Sequence, residues 1–290
     1  MSEENNVAAV GPRPAGVWKR LRRDKLAMAS LAFLVVLVIL TALAPLVSPH
    51  NPNDTNLAMR LKPPGTEGYL LGTDHLGRDM LSRLIWGGRA SLVVGFTAVI
   101  LAMSIGIITG LITGYYQGAI DAVVMRVIDV LMAFPAVLLA IAVIAALGPG
   151  LMNAMLAVAI VGIPYYARIV RSTVLALRER EFIEAGRAQG LPDVRLLARH
   201  ILPNCLSPII VAGTLDVGWM IMAAAGMSFL GLGAQPPMAE WGVMLSEGRA
   251  FIRFAPHESV LPGMAIFLVV LSLNLLGDGL RDALDPRLKD

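Results

Sequence analysis

No charged residue occurs between Val130 and Ala167, and no other feature limits the fold of the chain as sharply. As a single helix that block would measure about 57 Å, nearly twice a hydrocarbon core of roughly 30 Å. It has to turn, and "LGPGLMN" (Leu147 to Asn153) supplies Gly-Pro-Gly as the breaker. Four more charge-free blocks run Leu26 to Ser48, Ala90 to Ile120, Val217 to Ala239 and Ser259 to Gly277. With 56% hydrophobic residues, 16% charged residues and a mean hydropathy of +0.69, the chain is too apolar for an ordinary soluble domain. The expected fold class is an all-α polytopic membrane protein of six transmembrane helices. They are read as Leu26–Ser48, Ser91–Thr113, about Asp121 to Leu147, about Met152 to Val174, about Leu206 to Gly233 and about Val260 to Leu280.

A sequence pI of 9.2 raises nucleic acid as a partner, but the basic residues gather at a few loops, which suits an oriented membrane protein better than a basic groove. Six spans put both termini on one side. With the N-terminus inside, Lys and Arg on the inner segments outnumber those on the outer ones seventeen to seven, so both termini are expected in the cytoplasm. No cleavable signal peptide is evident, and the first apolar run is read as an uncleaved helix. The one cysteine, Cys205, excludes an intramolecular disulfide and a Cys-rich metal site, and reads as a packing residue. No cofactor and no metal site is expected.

Between spans four and five lies a polar stretch, "EFIEAGRAQGLPDVRLLARHILPN" (Glu181 to Asn204). Glu181, Glu184 and Arg187 fall at i, i+3 and i+6 on one face of a short helix, with Phe182 and Ala185 on another. Gly190 is a natural C-terminal stop. Pro192 and Asp193 start a second helix, which Pro203 is expected to end. Two short helices form a rigid knob, although a solvated amphipathic linker fits the pattern alone as well.

This loop resembles the EAA loop of permease subunits in bacterial binding-protein-dependent ABC importers: Glu184, Ala185 and Gly186, then Gly190, then His200, Ile201, Leu202 and Pro203. Gly186 stands at the third small position and weakens the helix by about 1 kcal/mol. His200 departs from the general Ile, as in the peptide branch. "LLGTDHLGRDMLSRLIWGGRASL" (Leu70 to Leu92), "MSFLGLGAQPPMAEWGVML" (Met227 to Leu245) and "GDGLRDALDPRLK" (Gly277 to Lys289) are similar to the dipeptide, oligopeptide and nickel family, and to its second, C-type permease.

The resemblance implies a type I importer permease of the bacterial inner membrane that performs no chemistry itself. Residues 1–25 would be a cytoplasmic tail, 26–48 the first helix and 49–87 an extracytoplasmic loop. The importer transmembrane domain would occupy 88–280, with five helices and the coupling loop at 178–204, and 281–290 would be a cytoplasmic tail. Implied partners are a homologous second permease, two cytoplasmic ATP-binding subunits, an extracytoplasmic substrate-binding protein and membrane lipid. Glu181, Glu184, Ala185, Gly186, Gly190, Leu202 and Pro203 would form the ATPase-coupling loop, with Glu184 at the helix face meeting the ATPase. The chain has no G-x-x-x-x-G-K-[ST] phosphate loop, so the ATPase is expected on another chain.

In the loop after span one, Asp74 or Thr73 is expected to cap a helix carrying Arg78, Asp79, Arg83 and Arg89 on interfacial faces. Asp74, Arg78 and Asp79 are candidates for docking the binding protein, or for a lid against the sister permease. A short amphipathic helix from about Ala239 to Phe251 would place Trp241 as an interfacial anchor. Asp216, roughly 15 Å into span five, is a candidate pathway-lining residue or a hydrogen-bonded structural Asp; a charge there is costly in lipid. Asp129 is read as a local pair with Arg126, and Asp278 with Arg281. Small residues in "GFTAVILAMSIGIITG" sit at helix-packing spacings. An ATP-independent secondary transporter would usually show internal repeats and several buried charges. An intramembrane enzyme would need a constellation that the scattered His50, His75, His200 and His257 do not make.

Overall fold

The computed structural model describes residues 14–284. Residues 1–13 and 285–290 lie outside the described residues, and with them most of the expected tails and the end of the "GDGLRDALDPRLK" stretch. The helices are α1 (Pro14–Leu21), α2 (Lys25–Ala42), α3 (Ala44–Val47), α4 (Met80–Tyr116), α5 (Gly118–Ala133) and α6 (Ala136–Leu147). They continue as α7 (Leu151–Arg178), α8 (Glu181–Ala188), α9 (Asp193–Leu196), α10 (Leu202–Phe229), α11 (Trp241–Gly248) and α12 (His257–Leu284). The described residues contain no strand, only isolated bridges Thr66–Tyr69 and Thr73–Asp79 in the long loop.

Five helical segments are long and apolar enough to cross a membrane: α2, α4, α7, the run from α9 through α10, and α12. The sixth crossing, expected as one helix from about Asp121 to Leu147, is broken. Its halves α5 and α6 meet at 99°. Phe134 at the break is extended (φ −90°, ψ 140°) because the following Pro135 disfavours helical backbone in the residue before it. The turn after Leu147 falls where Gly-Pro-Gly predicts it.

The core is built on α4 and α7. Gly106, Gly110 and Gly114 form a ridge at four-residue spacing that admits α7 at close range. A Cβ at Gly106 would lie 2.4 Å from Tyr166 Cβ, one at Gly110 2.6 Å from the Ala167 carbonyl oxygen, and one at Gly114 2.8 Å from Val174 Cβ. Without lipid-excluding hydrophobic force between helices, close backbone approach of this kind is what holds them together. The small residues therefore pack within the chain. Further along α4, Gly95 meets Ile221 of α10, and α12 packs on α10 and α2. Exposed stretches of α2 and α12, carrying Val36, Ile39, Phe267 and Leu271, present the apolar side chains that lipid requires.

Two faces result. One gathers α8 and α9 with the ends of α4 and α7 and the N-terminal part of α2; the other carries the loop 48–79 and α11. That loop is tightly folded. Gly77 sits at φ +74° with its missing Cβ 1.8 Å from the Asn56 carbonyl oxygen, so no side chain fits.

Candidate functional site

The knob expected between spans four and five is present. Its first helix, α8, buries Ile183 and Gly186 and exposes Glu181, Phe182, Glu184, Ala185 and Arg187. A Cβ on Gly186 would lie 2.7 Å from Leu196 Cδ2 of α9, so the missing side chain is what lets the two helices close on each other. Gly190 ends α8 in the left-handed region at φ +75°. Its amide donates to the Arg187 carbonyl (2.9 Å) and that of Leu191 to the Gly186 carbonyl (3.1 Å), a Schellman closure that satisfies carbonyls otherwise left open.

Pro203 does not end the second helix. From α9 the chain passes through a π-helical turn, Leu197–Ile201, directly into α10, so that 193–229 is one continuous helix. Pro203 lies in the first turn of α10, where the wider π turn accommodates a residue that has no amide hydrogen to give. Leu202 is half-buried and Pro203 exposed at this junction.

Tyr115, at the end of α4, is the residue that sequence reasoning missed. Its hydroxyl donates to Asp193 Oδ1 (2.6 Å), the Arg187 guanidinium lies 5.1 Å above its ring, and its carbonyl accepts from Arg178 (3.1 Å). One side chain thus ties both knob helices to α4. Beneath it, Val170, Val174, Ile183, Ile201, Cys205 and Ile209 form a single apolar cluster. Cys205 is fully buried there, as its packing role requires.

Asp216 lies part-exposed on α10 and accepts a hydrogen bond from the buried Tyr166 hydroxyl (2.7 Å). Asp129 does not pair with Arg126. Its carboxylate accepts from Arg168 of α7 at 2.6 Å, while Asp121 takes a two-pronged bond from Arg171 (2.6 and 2.7 Å). Among the described residues, Asp278 and Arg281 do not pair with each other.

The geometry has the marks of a transport subunit: spans joined by a rigid polar knob. Residues 106–290 match the family model described as "Binding-protein-dependent transport system inner membrane component", and residues 15–64 match "N-terminal TM domain of oligopeptide transport permease C". The chain belongs to the peptide-type permeases of ABC importers.

The chain is 49% identical to a dipeptide transport system permease of Alkalihalophilus pseudofirmus, over 99% of this chain and 93% of that one. It is 47% identical to a glutathione transport system permease of Pectobacterium atrosepticum, over 94% and 90%. It is 43% identical to a di/tripeptide transport system permease of Pseudomonas aeruginosa, over 94% and 92%. An inward-facing structure of the MetNI methionine ABC transporter aligns with a TM-score of 0.55 at 20% identity, covering 71% of this chain and 98% of that one, a likeness of fold. The permease is therefore a multi-pass inner-membrane protein.

At the opposite face of the permease, the three residues expected to dock a partner are turned inward. Asp74, Arg78 and Asp79 are each at most 2% exposed, because loop 48–79 folds over them. The expected cap is also different. Asp79 caps α4, accepting from the Ser82 amide (2.9 Å) and hydroxyl (2.6 Å). Asp74 instead accepts from the Arg78 guanidinium (2.5 Å) and amide (2.9 Å). Arg78 and Arg83 both donate to Glu247 of α11 at 2.9 Å, and His75 contacts Glu258 of α12 at 2.5 Å. Asp74, His75 and Glu247 bring ligand atoms within 4.8 Å of one another, but two guanidiniums already supply the positive charge. Of the four expected interfacial residues only Arg89 is exposed, over the Trp86 ring. Trp241 is no interfacial anchor. It is 1% exposed, and its indole N–H donates to the Leu84 carbonyl (3.0 Å).

Proposed function

We propose that this permease forms, with a homologous second permease, the translocation pathway of an ATP-driven importer for di- or oligopeptides or a related small solute. A substrate-binding protein delivers the solute on the loop 48–79 side. Two ATP-binding subunits on the α8 side hydrolyse ATP, and both termini of the permease lie with them in the cytoplasm. The relatives named for dipeptides, di/tripeptides and glutathione support the peptide class.

The observation that carries the reading is the construction of α8 and α9. Charged and aromatic groups face outward on a short helix whose own inner face is locked to α9, α4 and the cluster under Tyr115. Such a surface keeps its shape under load, and Glu181 and Glu184 are presented to a partner rather than spent on internal pairs. A displacement of the knob passes to α10 through an unbroken helix and to α4 through Tyr115. Asp216 sits on α10 in the path of that displacement and is proposed to line the pathway.

The test is binding-protein-stimulated ATPase activity of the whole complex in lipid, with Glu184→Ala beside the wild type. Loss of stimulation with the complex intact is expected. Unchanged stimulation and uptake would make Glu184 a solvated surface residue, and solute uptake by the permease without ATPase subunits would favour a secondary transporter.

A further inference from the structure

The Asp129–Arg168 pair is in an unusual place. Arg168 lies ten residues before the end of the spanning helix α7, about 15 Å along the axis, and Asp129 is inside α5, one limb of the bent α5–α6 pair. Yet their side chains are 50% and 45% exposed. A half-exposed ion pair facing lipid is strongly disfavoured, and ionisable groups inside spans face water or protein. The exposed residues of α2 from Leu26 to Ala42, by contrast, are all apolar.

The pair is also not alone. Tyr165, Arg168 and Ser172 fall at i, i+3 and i+7 on one exposed face of α7. Tyr165 rests edge-on against Tyr166 at 5.4 Å, and Tyr166 bonds Asp216 of α10. Polar groups thus join α5 to α7 on the exposed face, and the buried Tyr166 continues the link from α7 to α10. The neighbouring Asp121–Arg171 pair shows what a structural strut looks like here: two-pronged, with side chains only 17% and 30% exposed. Asp129–Arg168 has a single bond, leaving most of the guanidinium donors and one carboxylate oxygen open at the exposed surface.

We propose that Asp129, Arg168, Tyr165 and Ser172 line the water-filled pathway, and that the ion pair opens to receive the two ends of a zwitterionic peptide. Arg168 takes the α-carboxylate and Asp129 the α-ammonium. Exposed, single-bonded pairs exchange partners readily because water already competes for both charges, and Arg matches a carboxylate with parallel donors. The peptide part of this inference rests on the function proposed above.

Cysteine substitutions test it in the assembled transporter. Cys205 is the sole cysteine of the chain and is buried, so the wild type is the unlabelled control. Arg168→Cys, Asp129→Cys and Ser172→Cys are each exposed to a charged, membrane-impermeant thiol reagent and to a lipid-soluble maleimide. The charged reagent is expected to label all three, and a transported dipeptide with its binding protein and ATP is expected to slow labelling. Labelling by the lipid-soluble reagent alone, or by neither in any nucleotide state, would overturn the lining. Labelling that a transported dipeptide leaves unchanged would overturn the recognition of peptide ends. A complex that imports no dipeptide but is labelled by the charged reagent would sink the peptide reading and leave the lining standing. As a second readout, Arg168→Gln is expected to raise the half-saturating peptide concentration about tenfold, the loss of one charge-assisted hydrogen bond.

Discussion

The two faces of the permease handle charge in opposite ways. Around loop 48–79, Asp74, Arg78, Arg83, Asp79, Glu240 and Glu258 are all at most 2% exposed and joined across α4, α11 and α12. On the α8 face, Glu181, Glu184, Arg187, Arg195 and Arg199 are exposed. A buried, multiply bonded ion has one low-energy geometry, and removing its partner is costly. An exposed ion costs little to re-pair. The first arrangement fixes the position of helix ends, and the second leaves charges available to another protein. The difference separates a buried clamp from an exposed charged surface, the one proposed above for docking.

Substitutions can break or sharpen that contrast. The largest effect is expected from Glu247→Ala, which leaves the buried Arg78 and Arg83 with two guanidiniums on the one carboxylate of Asp74. About 3 kcal/mol or more should be lost, seen as a lowered midpoint of thermal aggregation in detergent; an unshifted midpoint would show that the clamp is not structural. Gly190→Ala comes next. Nothing lies within 4 Å of the added Cβ, so its cost is the left-handed backbone alone, about 1–2 kcal/mol. Amide exchange should rise in α8 but not in α4, and equal protection would mean that the turn tolerates alanine. Tyr115→Phe keeps the ring under Arg187 and loses only the bond to Asp193, about 1 kcal/mol. Weaker coupling of ATP hydrolysis to uptake in an assembled complex is expected; full coupling would confine Tyr115 to packing. Glu184→Ala should be the mildest for folding, within about 0.5 kcal/mol, because nothing inside the chain depends on it. A large loss of thermal stability there would contradict the docking surface.

Much of this architecture could be read from the chain because bilayer thickness acts on segment length alone. The charge-free blocks mark the six crossings, and Gly148-Pro149-Gly150 marks a turn. The bend at Pro135 escaped the same reasoning, since Pro164, Pro208 and Pro262 also lie inside spans yet leave their helices unbroken. Apolar composition does not distinguish those cases. Side-chain partners were harder still. Proximity in sequence points Asp129 to Arg126, whereas its partner is 39 positions away on α7. Tyr115 meets Asp193 across 78 positions, and a lone Tyr at a helix end carries no signal of that. Arg78 and Arg83 looked interfacial because they border a polar loop, and only the folding of that loop over them makes them interior. The knob was readable for a different reason: glycine and proline positions constrain backbone directly.

The π turn at Leu197–Ile201 has a mechanical consequence. It amounts to one extra residue in a helix that advances about 100° per residue, so it sets the angular phase between the face Leu196 presents to α8 and the face that carries Asp216. Because the hydrogen-bonded rod continues from Asp193 to Phe229, the displacement proposed for the knob would reach Asp216 at a phase that this single turn sets. Deleting one residue between Leu197 and Ile201 would leave the knob and the span intact while pointing Asp216 in another direction.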